Sequence, residues 1–133
     1  MRAIYIAGQY ARRDEFRAYA ASLRLRGIVV TSRWLDEPYP LNSTITDLTP
    51  EENHGLAMKD RDDIEDALGF LFFAEDPGNQ PPRGGRHVEF GYAVAFQKRI
   101  FVIGGPENTF HYLPEIKHYP TFEEFLRDGT NYN

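Results

Sequence analysis

Three short runs, Ala3 to Ala7, Leu68 to Ala74 and Ile100 to Ile103, carry apolar residues without polar alternation, and stretches of helical period separate them. A strand with no polar face is buried on both sides, and such strands belong to parallel sheets covered by their crossover helices. Between the runs, Phe16, Ala20 and Leu23 recur at i, i+4 and i+7, and Gly27 stands where a helix C-cap belongs, which predicts a helix over 12–26 and a strand over 28–31. Thr49-Pro50-Glu51-Glu52 is a capping box with Pro at the first helical position, opening a helix that runs to about Ala67. A further helix runs from Gly84-Gly85 to Lys98, and a second capping box, Thr121-Phe122-Glu123-Glu124, opens the last one. The expected fold is α/β: one domain over residues 1–133, a doubly wound parallel sheet of flavodoxin or Rossmann type with helices on both faces. Ligands of such sheets bind beyond the carboxyl ends of the strands.

Composition excludes several classes of function. With no Cys, the chain has no thiolate ligand or thiol nucleophile, and its four His form no HxxxH or HxxH pair, so neither a metal nor another cofactor is expected. A formal charge of −5 argues against a nucleic-acid polymer, whose backbone is held by basic stripes, and leaves small molecules as partners. No run is long enough to span a membrane, and Ile4 to Ala7 is too short for a signal-peptide core, so a cytoplasmic location is expected. Gly8 stands alone rather than in G-x-G-x-x-G, no G-x-x-x-x-G-K-[ST] occurs, and Ser22, Ser32 and Ser43 lack a nucleophile-elbow context.

Two carboxylates sit where apolar residues belong. At about 100° per residue, the helix before the second apolar run places Leu56, Ala57, Ile64, Ala67 and Leu68 on one arc with Asp60 at its centre, while Asp62, Glu65 and Asp66 face away. Asp60 is then either a functional acid or a buried partner of an Arg such as Arg12 or Arg33. On the helix after Gly84, the arc of Val88, Tyr92, Ala93, Ala95 and Phe96 encloses Glu89, near the carboxyl rim of the sheet. The positive end of that helix helps keep Glu89 ionised; the alternatives are simple dipole complementation or pairing with Arg86. Inward carboxylates at neighbouring helix starts suit glycosyl transfer, in which one attacks the anomeric carbon and another group handles the leaving group's proton. Arg83-Gly84-Gly85-Arg86 offers backbone N–H groups and two guanidiniums, a cradle for a phosphate or a plain turn. Phe90 and Val94 fall outside the inner arc, and their exposure in a monomer leads us to expect a homo-oligomer, a dimer or higher.

The run Gly84-Gly85-Arg86-His87-Val88-Glu89-Phe90-Gly91-Tyr92-Ala93 resembles the nucleophile helix of the nucleoside 2-deoxyribosyltransferase family, whose relatives include nucleotide N-glycohydrolases. The resemblance extends to Ile4-Tyr5-Ile6-Ala7-Gly8, similar to that family's opening strand and substrate loop, and to Ala57-Met58-Lys59-Asp60 with Asp63-Ile64, similar to its second-carboxylate segment. It implies that Glu89 forms a covalent glycosyl intermediate, that Asp60 orients the sugar or moves a proton, and that Tyr5 tunes Glu89. Gly8, Gln9 and Tyr10, with the loop around Trp34, would receive the base, and Glu107-Asn108-Thr109-Phe110-His111 resembles the segment by which a neighbouring subunit supplies an Asn, here Asn108. The reaction implied is cleavage of the N-glycosidic bond of a 2'-deoxynucleoside and transfer of the sugar to another base; the alternatives are hydrolysis of a 5'-monophosphate and a non-catalytic nucleotide-binding module. Two positions depart from the family. Arg83 replaces the Asp or Ser that distinguishes its subtypes, and Leu68 replaces an acid.

Overall fold

The computed structural model describes residues 1–40, 45–76, 78 and 84–131. β1 (Ala3–Ala7) leads through a short 3₁₀ turn into α1 (Arg13–Leu25), followed by β2 (Val29–Val30), α2 (Pro50–Asp66), β3 (Gly69–Phe73), α3 (Gly85–Ala95), β4 (Arg99–Ile103), β5 (Lys117–Tyr119) and α4 (Phe122–Glu124). The five strands form one parallel sheet in the order β2-β1-β3-β4-β5, the flavodoxin-like order expected of a doubly wound α/β chain. Strand order reverses between β1 and β3, and that crevice is where such sheets take ligands.

Side chains alternate across the sheet, and the two faces carry different helices. Phe16 of α1 packs on Phe73, and Phe125, just after α4, packs on Phe101, so Leu71, Phe73, Phe101 and Ile103 face α1 and α4. Tyr5, paired in register with Phe70, stacks on it at 5.6 Å, and Phe90 of α3 meets Phe70 and Phe72 on the opposite face, where α2 and α3 lie side by side.

The caps follow the sequence. Thr49 accepts from the Glu52 N–H while the Glu52 side chain accepts from Thr49, completing the capping box of α2. After α1, Gly27 takes a φ of 78°, its N–H bonding Arg24 O and that of Ile28 bonding Leu23 O, a Schellman closure. Three expectations change. β5, with the polar text Lys-His-Tyr, was not foreseen. Leu68 precedes β3 and is exposed. The buried line of α3 runs through Arg86, Phe90 and Ala93, while Val88, Tyr92, Ala95 and Phe96 are exposed, so the arc is rotated from the one expected. The cause is a buried charge: Arg86 lies in the interior opposite Glu107, and a pattern that sends Arg to solvent turns the helix the wrong way. Phe90 is therefore core, and with Val94 partly buried against it the argument for an oligomer from that pair falls.

Candidate active site

Glu89 projects from the second turn of α3 over the middle of β1, and the fully buried Tyr5 hydroxyl donates a hydrogen bond to its Oε2. Burial and the neighbouring Glu89 raise Tyr5 well above the ordinary phenol range, so it remains a donor. Burial and then the charge of Asp60 push Glu89 up to about 8, against the lowering effect of the Tyr5 bond. Loss of solvent and the like charge of Asp60 thus oppose the ionisation of Glu89 that a helix N-terminus favours.

Asp60 of α2 faces the same space. Burial, followed by Glu37 and Asp63, raises it to about 7, and its Oδ1 is buried with no hydrogen-bond partner among the described residues. Neither candidate Arg pairs with it. Arg33 binds Asp63, with Nη2 at 2.8 Å and Nε at 2.9 Å from Oδ1, and Arg12 holds Glu15 and Glu75.

Glu37, in the turn after β2, was missed from the sequence. It is buried, Lys59 Nζ lies 3.9 Å from its Oε2, and that oxygen accepts no hydrogen bond among the described residues. Burial raises its pKa. Asp36-Glu37-Pro38 reads as a solvated loop, and only the packing of that turn on α2 makes Glu37 interior.

The loop residues divide. A Cβ at Gly8 would meet the Phe16 ring at 2.5 Å, so core packing alone demands glycine there. Gln9 is half-buried and leads into the 3₁₀ turn. Tyr10 donates to Tyr39 O at 2.9 Å and lies beneath the Arg13 guanidinium, which also reaches Glu37 O at 2.7 Å. Trp34 is a core anchor: its Nε1–H bonds Ile6 O at 2.8 Å and its ring meets Phe16 on the α1 face, away from Glu89.

The expected phosphate cradle is changed by Arg86. Both its Nη groups bind Glu107, so its charge is spent on a buried ion pair. Gly84 and Gly85 are exposed with open space around them, and Arg83 lies outside the described residues. Asn108 is half-buried; its Nδ2 lies 3.3 Å from His87 Nδ1 of the same chain, and its Oδ1 caps Phe110 N. Glu107 and His111, both missed from the sequence, connect these groups. Among the described residues no group of three or more His, Cys, Asp or Glu could hold a metal ion.

No protein-family model matches this sequence, and no curated protein matches it. Solved structures do match in fold. Clostridium botulinum CMP N-glycosidase, BcmB, superposes with a TM-score of 0.62 at 19% identity, over 98% of this chain and 100% of that one. A 2-deoxyribosyltransferase from the psychrotolerant Bacillus psychrosaccharolyticus superposes with a TM-score of 0.68 at 15% identity, over 98% of this chain and 92% of that one. At these identities the likeness is one of fold.

Proposed function

We propose that this chain is a nucleoside 2'-deoxyribosyltransferase that cleaves the N-glycosidic bond of a 2'-deoxynucleoside and passes the sugar to a second base. The observation that carries the reading is the Glu89 carboxyl, held by the Tyr5 hydroxyl and coupled to Asp60 at the β1–β3 switch point. With Asp60 raised to about 7 and Glu89 to about 8, the pair holds about one proton near neutral pH. The reactive arrangement has that proton on Asp60 and Glu89 ionised; with Glu89 the weaker acid this is the minor form, and the Tyr5 hydrogen bond raises its share.

Glu89 then attacks C1', the C1'–N bond breaks with its electrons going to the base nitrogen, and Asp60 supplies the proton that nitrogen needs. In the return step the nitrogen of an acceptor base attacks C1', Glu89 departs as carboxylate, and the acceptor's proton goes to Asp60. Two displacements retain configuration. The bare acceptors at Asp60 Oδ1 and Glu37 Oε2 suit hydroxyl or amino donors of the substrate.

Hydrolysis of a 5'-monophosphate is the second reading, favoured by the fold likeness to a CMP N-glycosidase and by Arg83. Electrostatics favour the free nucleoside. Lys59, Arg33, Arg12 and Arg86 each face an acid, and Arg13 is engaged with backbone carbonyls, so a phosphate would enter an acid-rich space without one of these cations to meet it. Chromatography of base release from deoxynucleosides and their monophosphates, with and without acceptor base, tests both. Release that needs the acceptor and vanishes in Glu89→Ala supports transfer; acceptor-independent release from monophosphates, lost in Arg83→Ala, supports hydrolysis; no release from any substrate defeats both.

A further inference from the structure

α3 starts on two glycines, and its N-cap makes no side-chain hydrogen bond, so its first turn is closed by backbone bonds to Gly84 O alone, with no side-chain cap. What fixes it lies across the sheet edge. The side chain of Glu107, in the loop after β4, is buried, and its carboxylate gathers contacts from two separate segments. The Glu75 N–H, beyond the end of β3, donates to Oε2 at 2.9 Å; the Arg86 guanidinium binds as a fork, Nη2 at 2.6 Å from Oε1; and His87 Nε2 stands 3.6 Å from Oε1. The backbone N–H of Glu107 donates to His111 Nδ1 at 3.0 Å, which leaves the ring proton on Nε2. That imidazole packs 4.7 Å from both Phe72 and Phe90.

Glu89 is thus bracketed along α3 by residues tied to Glu107, with Arg86 and His87 before it and Phe90 after it. We propose that Glu107 is a positioning residue: through Arg86, His87 and His111 it anchors the first turns of α3, and with them the Glu89 carboxyl, against the ends of β3 and β4, and through His87 it orients the Asn108 amide. The proposal rests on the reading of Glu89 as nucleophile. Displacement of an attacking group by about 1 Å costs on the order of a hundredfold in rate, so a carboxylate that never touches substrate can govern turnover. It also gives the buried Arg86 a task other than binding phosphate.

The test compares wild type with Glu107→Gln and with the double variant Arg86→Met/Glu107→Leu, which removes both buried charges together and so avoids stranding one of them. Base release and amide hydrogen exchange are measured on all three proteins. The expected double variant has a Tm close to wild type, a loss on the order of a hundredfold carried mainly by kcat, and faster exchange at His87 to Phe90 with β3 and β4 unchanged. Glu107→Gln, of native size, leaves the Arg86 charge without its counter-ion and so lowers Tm, while it shows the same loss of kcat and the same exchange pattern to a smaller degree, and it decides the matter if the double variant does not fold. A kcat within about threefold of wild type together with unchanged exchange at His87 to Phe90 overturns the proposal. If wild type releases no base from any substrate, the reading of Glu89 falls on that result. Exchange at His87 to Phe90 needs no substrate and still decides for or against the anchor.

Discussion

Tyr5 and Glu89 are eighty-four positions apart and share one hydrogen bond, and that bond sets the expected pH behaviour. The hydroxyl stabilises the carboxylate and so lowers its pKa; removing it raises that pKa above about 8. Tyr5→Phe should shift the acidic limb of kcat/KM to higher pH, with a loss on the order of tenfold at pH 7 that shrinks toward pH 9. A limb left in place would show that the bond does not tune Glu89. Stability should carry the reverse signature. Asp60 and Glu89 have folded-state pKa values, about 7 and about 8, above the 3.8 and 4.5 of the unconstrained groups. Their contribution to stability is full below the unfolded pKa and lost as pH rises through the folded one. Asp60→Asn and Glu89→Gln should therefore stabilise the protein by roughly 1–2 kcal/mol at pH 8.5 and much less at pH 5, read as Tm. Asp60 was legible in the sequence because it interrupts an apolar pattern; Glu89 falls on an expected arc whose members are mostly exposed, and the signal that stands for it is the resemblance of its helix to a family motif. Glu37 and Glu107 were not legible, because each lies in a polar loop and becomes interior only through tertiary packing.

At the scale of elements, period and caps were enough to place all four helices and four of the five strands, since uniformly apolar runs and capping boxes are local signals. What failed was rotation. A helical wheel weighs residues by polarity, so a buried Arg–Glu pair is invisible to it, and α3 turned by the burial of Arg86 exposes Val88 and hides Phe90. β5 failed for a related reason: three residues at the sheet edge, mostly exposed, carry no periodic signal. The end of α3 makes a separate prediction. It closes with the Schellman bonds seen after α1, Gln97 N–H to Val94 O at 3.1 Å and Lys98 N–H to Ala93 O at 3.0 Å, but with Gln97 rather than glycine at a φ of 58°. A side chain in that region costs about 1 kcal/mol. Gln97→Gly should raise stability in urea by about 0.5–1 kcal/mol with the m-value unchanged; a loss would mean that the Gln97 side chain contributes more than its backbone costs.

For the whole molecule, the rotated helix moves the case for an oligomer to a new surface. Val88, Tyr92 and Phe96, at i, i+4 and i+8, form an exposed stripe along α3, with the Tyr92 and Phe96 rings stacked at 5.9 Å, and Met58 of α2 and Leu68, between α2 and β3, are exposed as well. Gly91 and Ala95, also exposed beside the stripe, leave room for a second helix to approach closely. We propose a second copy of this chain as the stripe's occupant, since an isologous contact would set α3 against its twin and bury both ring pairs. Such a contact would also bring the α3 that carries Glu89 near the neighbouring chain, as a site completed by a partner's Asn108 requires. Sedimentation of wild type at micromolar concentration should show a dimer or larger, and Tyr92→Lys, which places a charge in the middle of the stripe without touching Glu89, should shift it to monomer. If Asn108 serves the partner's site, that monomer should lose base release while keeping its Tm within a few degrees of wild type. A wild-type monomer would remove the shared site, and a Tyr92→Lys monomer with full activity would keep the interface but return Asn108 to its own chain, where it already bonds His87.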